Sequence, residues 1–381
     1  MINFIYLIKS TLGFLAFYFI HPFYRKKLKF PDKVLFIHTA GIGDLIHSNK
    51  IINTLENDKV NEIYFLIKSI HKELYNNYNG RIKFLFIEYE KYSFNFFYKI
   101  RFLKKIRTFG FSKVFILNHH RRITDDDIAL NSGADMIMAL NISDTRYLKV
   151  GKKYFDKKYD IILYRESEYI QNKYNILLSR YFPLIKITES SIYLNEEKHL
   201  SILLNKYKSV FDKEYISINP VSSAEIRNWT ISNFRKIIEY ILNKYTYDII
   251  LLGEESQKDY LQKMVLDKVR VHNFSGKTNL LETFTILKKS KIFLGVDSAL
   301  AHASIYFKIP RIILAGGGPF GLIFPSESYK NDIPDQRLVF KEMDCFGCNW
   351  NCKFDEPHCL NDINPNQVIE IIDSMLRSRV N

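Results

Sequence analysis

The residues best suited to chemistry in the first half of the chain form one turn, Thr39-Ala40-Gly41-Ile42-Gly43-Asp44. Its glycines let the backbone approach a ligand closely, and the helix that follows favours negative charge at its start. Asp44 can serve there as a general base at a ligand hydroxyl, or simply cap the helix. The third glycine of the dinucleotide fingerprint is missing, which disfavours an NAD site.

The second half offers three loops: 220–229 with Ser222 and Arg227, 253–255 with Glu254 and Glu255, and 295–302 with Asp297, Ser298 and His302. Hydroxyls, a cation and a helix N-terminus suit a diphosphate, and a carboxylate suits ribose hydroxyls. Singly each group is ordinary, Ser298 or Asp297 as a helix cap and Arg227 as a surface cation. Together they outline a nucleotide site.

Two further clusters stand apart. His119, His120, Arg121 and Arg122 closely follow a strand and would suit a phosphate or carboxylate on an acceptor, the alternative being a solvated turn. The nearby Asp125, Asp126 and Asp127 contain an Asp-x-Asp pattern but lie away from the second-half loops. All four cysteines, Cys345, Cys348, Cys352 and Cys359, fall in one window beside His358. Their spacing allows a structural zinc site, free or disulfide-forming thiols, or an iron-sulfur cluster. Such clustering is not that of a secreted disulfide framework and points to a reducing compartment.

The elements that must position these groups alternate between strand and helix. Strands are expected at 34–37, 63–67, 84–87, 114–117 and 136–140, then at 215–219, 249–252, 271–274, 292–295 and 311–315. Helices are expected from near Asp44 and at 195–207, 231–243, 280–288 and 299–307. Short apolar strands separated by helices imply parallel sheets, with ligands outside the strands' carboxyl ends. The expected fold class is thus α/β, with two Rossmann-like domains facing across a cleft.

A chain of 381 residues with 47% hydrophobic content can bury two such cores. Its formal net charge of +14 suits an anionic partner. No nucleic-acid module is recognisable, and the cations of 99–107 read as a solvated helix face, so nucleic acid is not expected. Residues 4–20 are almost wholly apolar and are followed by Arg25, Lys26 and Lys27. Charge after the apolar run, with no small-residue cleavage site, is unlike a signal peptide. A shallow interfacial helix that holds the protein peripherally at a membrane is expected, the alternatives being a bilayer span, which would leave the rest of the chain cytoplasmic, and a helix packed on the protein.

From 33 to 372 the sequence resembles glycosyltransferase family 9, the heptosyltransferase family of lipopolysaccharide core synthesis. The most specific matches are Phe-Ser-Gly-Lys-Thr-Asn-Leu from Phe274, Phe-Leu-Gly-Val-Asp-Ser-Ala-Leu-Ala-His-Ala from Phe293 and Ile-Pro-Arg-Ile-Ile-Leu-Ala-Gly-Gly from Ile309. The Gly-Ile-Gly-Asp turn, the Trp229 loop and the C-terminal cysteines add to them. The resemblance implies a GT-B fold and inverting transfer without a catalytic metal. Asp44 would be the base, beside Gly43, on an acceptor side with His119 to Arg122. Arg227 stands where the family has a phosphate-binding Lys; Glu255, or Glu254 by a one-residue slip, falls on the ribose-binding Glu. Asp297, Ser298 and His302 fall on the donor loop, with Ser222 and Gly316 adding to the donor site. Departures are Ala299 for a usual Gly, Lys50 for a usual Pro, and Gly316-Gly317-Gly318-Pro319 for a usual Gly-Pro-Thr.

The implied partners are a nucleotide sugar, ADP-heptose foremost, an anionic glycolipid acceptor and the inner membrane surface. The implied organisation is a membrane-associating segment (1–28), an acceptor domain (29–190), a nucleotide-sugar domain (191–344) and a cysteine cluster with a C-terminal helix (345–381). A nucleotide-sugar epimerase of the same fold and a non-catalytic glycan- or lipid-binding protein are the alternatives.

Overall fold

The computed structural model describes Leu15 and residues 32–119, 121–140, 154–163, 170–318, 320 and 335–377. The apolar stretch 4–20, Arg25 to Lys27, His120 and Pro319 lie outside the described residues. The chain divides into two units, Met1–Ser190 and Ser191–Asn381, each an α/β unit of the Rossmann type found in GT-B enzymes.

In the first unit six strands form one parallel sheet: β1 (Lys33–Ile37), β2 (Glu62–Lys68), β3 (Lys83–Ile87), β4 (Lys113–Ile116), β5 (Met136–Ala139) and β6 (Ile161–Ile162), in the order β3-β2-β1-β4-β5-β6. Leu35, Ile37, Leu66, Val114 and Ile116 bury one face of it against helices. On the other face Phe36 stacks between Phe65 and Phe115 at 4.9 and 5.1 Å. Burial on both faces explains why these strands read as continuous apolar runs. Helix α1 (Ile42–Leu55) leaves the end of β1, α2 (Tyr89–Phe94) leaves β3, α3 (Phe96–Thr108) precedes β4, and α4 (Ile123–Asn131) follows it.

The second unit repeats the plan with β7 (Tyr215–Asn219), β8 (Asp248–Leu251), β9 (Val271–Asn273), β10 (Phe293–Val296), β11 (Arg311–Leu314) and β12 (Gln336–Val339), ordered β12-β11-β10-β7-β8-β9 and all parallel. Its core joins Ile216, Ile218, Trp229, Phe234, Ile249 and Leu294 to Val368, Ile372, Met375 and Leu376 of the C-terminal helix Pro365–Arg377. That helix therefore completes the same core, its apolar residues recurring at helical spacing on one face. The edge strands β6 and β12 are absent from the sequence reading: one is two residues long, and the other, Gln-Arg-Leu-Val, carries two polar residues and takes its place by pairing with β11.

In each unit the order of strands reverses beside the first strand, between β1 and β4 and between β7 and β10. Loops leaving neighbouring strands there diverge to opposite faces of the sheet and open a crevice for ligands.

Candidate functional site

At the first crevice, α1 begins at Ile42 with Gly41 as its N-cap, and no side chain bonds the cap. Asp44 is therefore in the first turn rather than at the cap, half-buried, with Gly43 beside it. A Cβ on Gly41 would meet nothing within 4 Å, so the turn faces open space. The amides of a helix start, a glycine turn and a carboxylate thus share one open edge.

The turn is braced from below. Thr39 Oγ1 donates to Asp125 Oδ1 at 2.5 Å, and Asn118 Nδ2 donates to Thr39 Oγ1 at 3.0 Å and to Asp125 Oδ2 at 2.6 Å. The backbone N–H of Arg122 adds a bond to Asp125 Oδ2 at 2.9 Å. Asp125 is fully buried, so these bonds compensate the desolvation of its charge.

Three titratable groups near the turn escaped the sequence reading. Burial drives the His38 imidazole from 6.5 down to about 4, against the pull of the Asp44 carboxylate. Burial, helped by Lys68, likewise takes His71 to about 4. Lys68 falls to about 8 through burial and the neighbouring Arg122 charge, and its Nζ lies 4.8 Å from the Tyr89 ring centroid. These residues come from the ends of β1 and β2 and the turn after β2, which strand pairing brings side by side. The lysine ending the apolar run of β2 was the one visible signal.

Of the predicted basic cluster, His119 and Arg122 are both half-buried, the Arg122 guanidinium carbon 5.9 Å from the Tyr89 ring centroid. Arg121 is a correction. It is fully buried, its Nε 2.7 Å from Asp126 Oδ1, with Asp156 at its other end and the Tyr159 ring 4.4 Å away. An ion network inside the fold holds it, so it is not placed to meet an acceptor. The cations of 99–107 are not all solvated either, since Lys99 is buried 2.7 Å from Asp127. Asp125, Asp126 and Asp127 are each enclosed with separate partners, which leaves the Asp-x-Asp pattern without a shared open site.

At the second crevice, the loop after β7 and the loop after β10 converge. Arg227 approaches Asp297 Oδ2 at 3.8 Å, and His302 Nε2 lies 3.4 Å from Asp297 Oδ1. Asp297 and His302 are buried, while Arg227 is partly exposed. Ser298 is the N-cap of the helix Ala299–Tyr306, accepting from the Ala301 N–H, and it donates to Asn219 Oδ1 at 2.6 Å. Its hydroxyl already serves the fold. Ser222 Oγ likewise bonds within its own loop, donating to the Ala224 carbonyl at 2.9 Å.

Glu255 is exposed at the start of a short 3-10 turn, and Gln257 Nε2 of that turn reaches the Ser222 carbonyl at 3.5 Å, joining the two loops. Gly276, at φ +69, packs so tightly against Glu255 that a side chain there would collide with its backbone. Gly316 is buried, and a Cβ on it would lie 2.4 Å from the Trp350 ring; it serves close packing of the cysteine loop. Cys345, Cys348 and Cys352 are half-buried and Cys359 buried, its Sγ accepting from the Gly317 N–H at 3.3 Å. Among the described residues no three His, Cys, Asp or Glu side chains are grouped to hold a metal ion.

A family model described as glycosyltransferase family 9 (heptosyltransferase) matches residues 144–317. A search of curated protein sequences returned no match. Among solved structures the chain is similar to the E. coli ADP-heptose lps heptosyltransferase II, with a TM-score of 0.69, 14% identity, and 92% of this chain and 100% of that one covered. It is similar also to E. coli heptosyltransferase WaaC with ADP-2-deoxy-2-fluoro heptose, at TM-score 0.63 and 13% identity, covering 90% of this chain and 99% of that one. The UDP-GlcNAc 2-epimerase from Methanocaldococcus jannaschii is less similar, at TM-score 0.55 and 15% identity, with 92% and 94% covered. At such identities the likeness is one of fold.

Proposed function

We propose that this chain, which a glycosyltransferase family 9 model matches over residues 144–317, is a glycosyltransferase that moves a heptose from ADP-heptose to an anionic core glycolipid with inversion. The observation that carries this reading is the convergence of Arg227, Asp297 and His302 at the β7/β10 crevice, where a nucleotide sugar would bind. The Arg227 guanidinium suits the diphosphate, as do the amides at the start of the Ala299–Tyr306 helix, while Glu255 suits ribose hydroxyls. Asp44 takes the proton of the acceptor hydroxyl as the sugar leaves its diphosphate. Developing charge on that diphosphate meets Arg227, so no dissociable metal is required. Lys68 and Arg122 supply positive charge beside the Asp44 turn for an anionic acceptor.

The test is a thermal-shift screen of nucleotide sugars followed by a transfer assay with delipidated core acceptor, with and without EDTA. ADP-heptose should raise the melting temperature, and transfer should survive the chelator. Stabilisation by a different nucleotide sugar alone would overturn the donor assignment, and abolition by EDTA would overturn the metal-independent mechanism.

The apolar stretch 4–20 with Arg25 to Lys27 supports attachment to the cytoplasmic face of the inner membrane by combined insertion and charge. Among the described residues no helix is long and apolar enough to cross a membrane. Flotation with anionic liposomes should be lost on deleting residues 1–28; equal flotation of the truncated protein would place the attachment elsewhere.

A further inference from the structure

The cysteine loop lies against the candidate donor site. After β11 the chain runs through Gly316, Gly317 and Gly318, and the loop docks on that run by backbone bonds, from the Gly347 N–H to the Gly317 carbonyl at 2.8 Å and from the Asn349 N–H to the Gly318 carbonyl at 3.0 Å. The three glycines are demanded by the aromatic side chains laid across them. A Cβ would come within 2.4 Å of the Trp350 ring at Gly316 and at Gly318, and within 2.2 Å of the Phe346 ring at Gly317. The unusual glycine run and the cysteine loop are therefore two sides of one contact.

Trp350 is held with φ at +62, a left-handed conformation that L residues seldom adopt, and it follows Asn349 at +49. In this conformation its ring lies 5.7 Å from the Arg227 guanidinium carbon. Arg227 is otherwise loosely held. Its nearest carboxylate, Asp297, stands 3.8 Å off, beyond hydrogen-bond distance, and its buried Nε has no hydrogen-bond partner among the described residues. At that distance the guanidinium is within cation–π reach of the indole, a contact that leaves its N–H groups available for a phosphate and that a lysine ammonium would not reproduce.

We propose that Trp350 is a positioning residue of the donor site, holding Arg227 with its N–H edge turned to the diphosphate. Without the indole, Arg227 is drawn towards Asp297, which neutralises it. This inference rests on the nucleotide-site reading above.

The experiment measures ADP binding by calorimetry and donor kinetics in wild type, Trp350→Ala, Trp350→Phe, Arg227→Lys and the Trp350→Ala/Arg227→Lys double variant. Trp350→Ala should weaken ADP binding and raise the donor KM about tenfold, with kcat changed less than about threefold; Trp350→Phe should restore most of the loss. In the Arg227→Lys background, Trp350→Ala should add little, because the planar group it serves is gone. Melting curves accompany each variant. Equal ADP affinity in wild type and Trp350→Ala overturns the inference alone, as do strictly additive effects in the double variant. A wild type that binds neither ADP nor any other nucleoside diphosphate overturns both this inference and the nucleotide site.

Discussion

Near the ends of β1 and β2 the titratable groups are withdrawn from water, His38 fully buried, His71 buried and Lys68 half-buried against the Tyr89 ring, and desolvation lowers the pKa of all three. At the ends of β7 and β10 the cation is held at a distance, Arg227 between the Asp297 carboxylate and the Trp350 ring. The strand order is the same in both units. One frame thus serves two tasks. The first crevice sets the Asp44 carboxylate beside two imidazoles that burial keeps neutral and beside the cations Lys68 and Arg122, an arrangement that suits the proton transfer proposed there. The second sets a permanent cation between a carboxylate and an indole, an arrangement that suits the diphosphate proposed there.

The largest expected effect breaks the first crevice alone. Asp44→Asn should fold, bind ADP like the wild type and lose transfer by on the order of 100-fold or more. Steady-state turnover together with calorimetric ADP affinity checks this. Unchanged turnover would remove Asp44 from the base role, and lost ADP affinity would undo the separation of tasks between the two units.

A smaller effect concerns acid. His38 and His71 have folded-state values of about 4 against 6.5 for an ordinary imidazole. Between those values the unfolded chain binds protons that the folded chain refuses, so stability rises with pH through this window and is lost as pH falls from about 6.5 towards 4. Melting temperatures across pH 7 to 4.5 should fall, and His71→Gln should flatten the slope. A slope unaltered in that variant would mean that other groups govern acid stability.

Much of this arrangement was legible in the sequence. The Gly-x-Gly-Asp turn, the ten principal strands and the loops bearing Arg227 and Asp297 are local features, and apolar runs ending in glycines and polar residues mark them out. What the sequence hid is long-range. Arg121 looked like a ligand because nothing local showed that the chain would bury it between Asp126 and the distant Asp156. Lys68 gained its neighbour Arg122, and Trp350 gained Arg227, only through strand order and loop docking. The glycine run 316–318 was a signal in plain view, read as a departure from a pattern although it records a close contact with the cysteine loop.

The smallest effect sharpens the second crevice by separating its cation from its hydroxyl. The Ser298 Oγ accepts from the Ala301 N–H and donates to Asn219 Oδ1, so it works as a helix cap tied to the end of β7. Removing an N-cap oxygen costs about 1 kcal/mol, and the amides at the helix start remain in place for an anion. Ser298→Ala should therefore lower the melting temperature slightly and change the donor KM by less than about threefold, whereas Arg227→Ala should raise KM by about tenfold or more at nearly unchanged melting temperature. Donor kinetics on both variants, each with its melting curve, make the comparison. A tenfold rise in KM for Ser298→Ala without loss of stability would make that hydroxyl a phosphate ligand. The second crevice would then depend on its helix cap as much as on its cation.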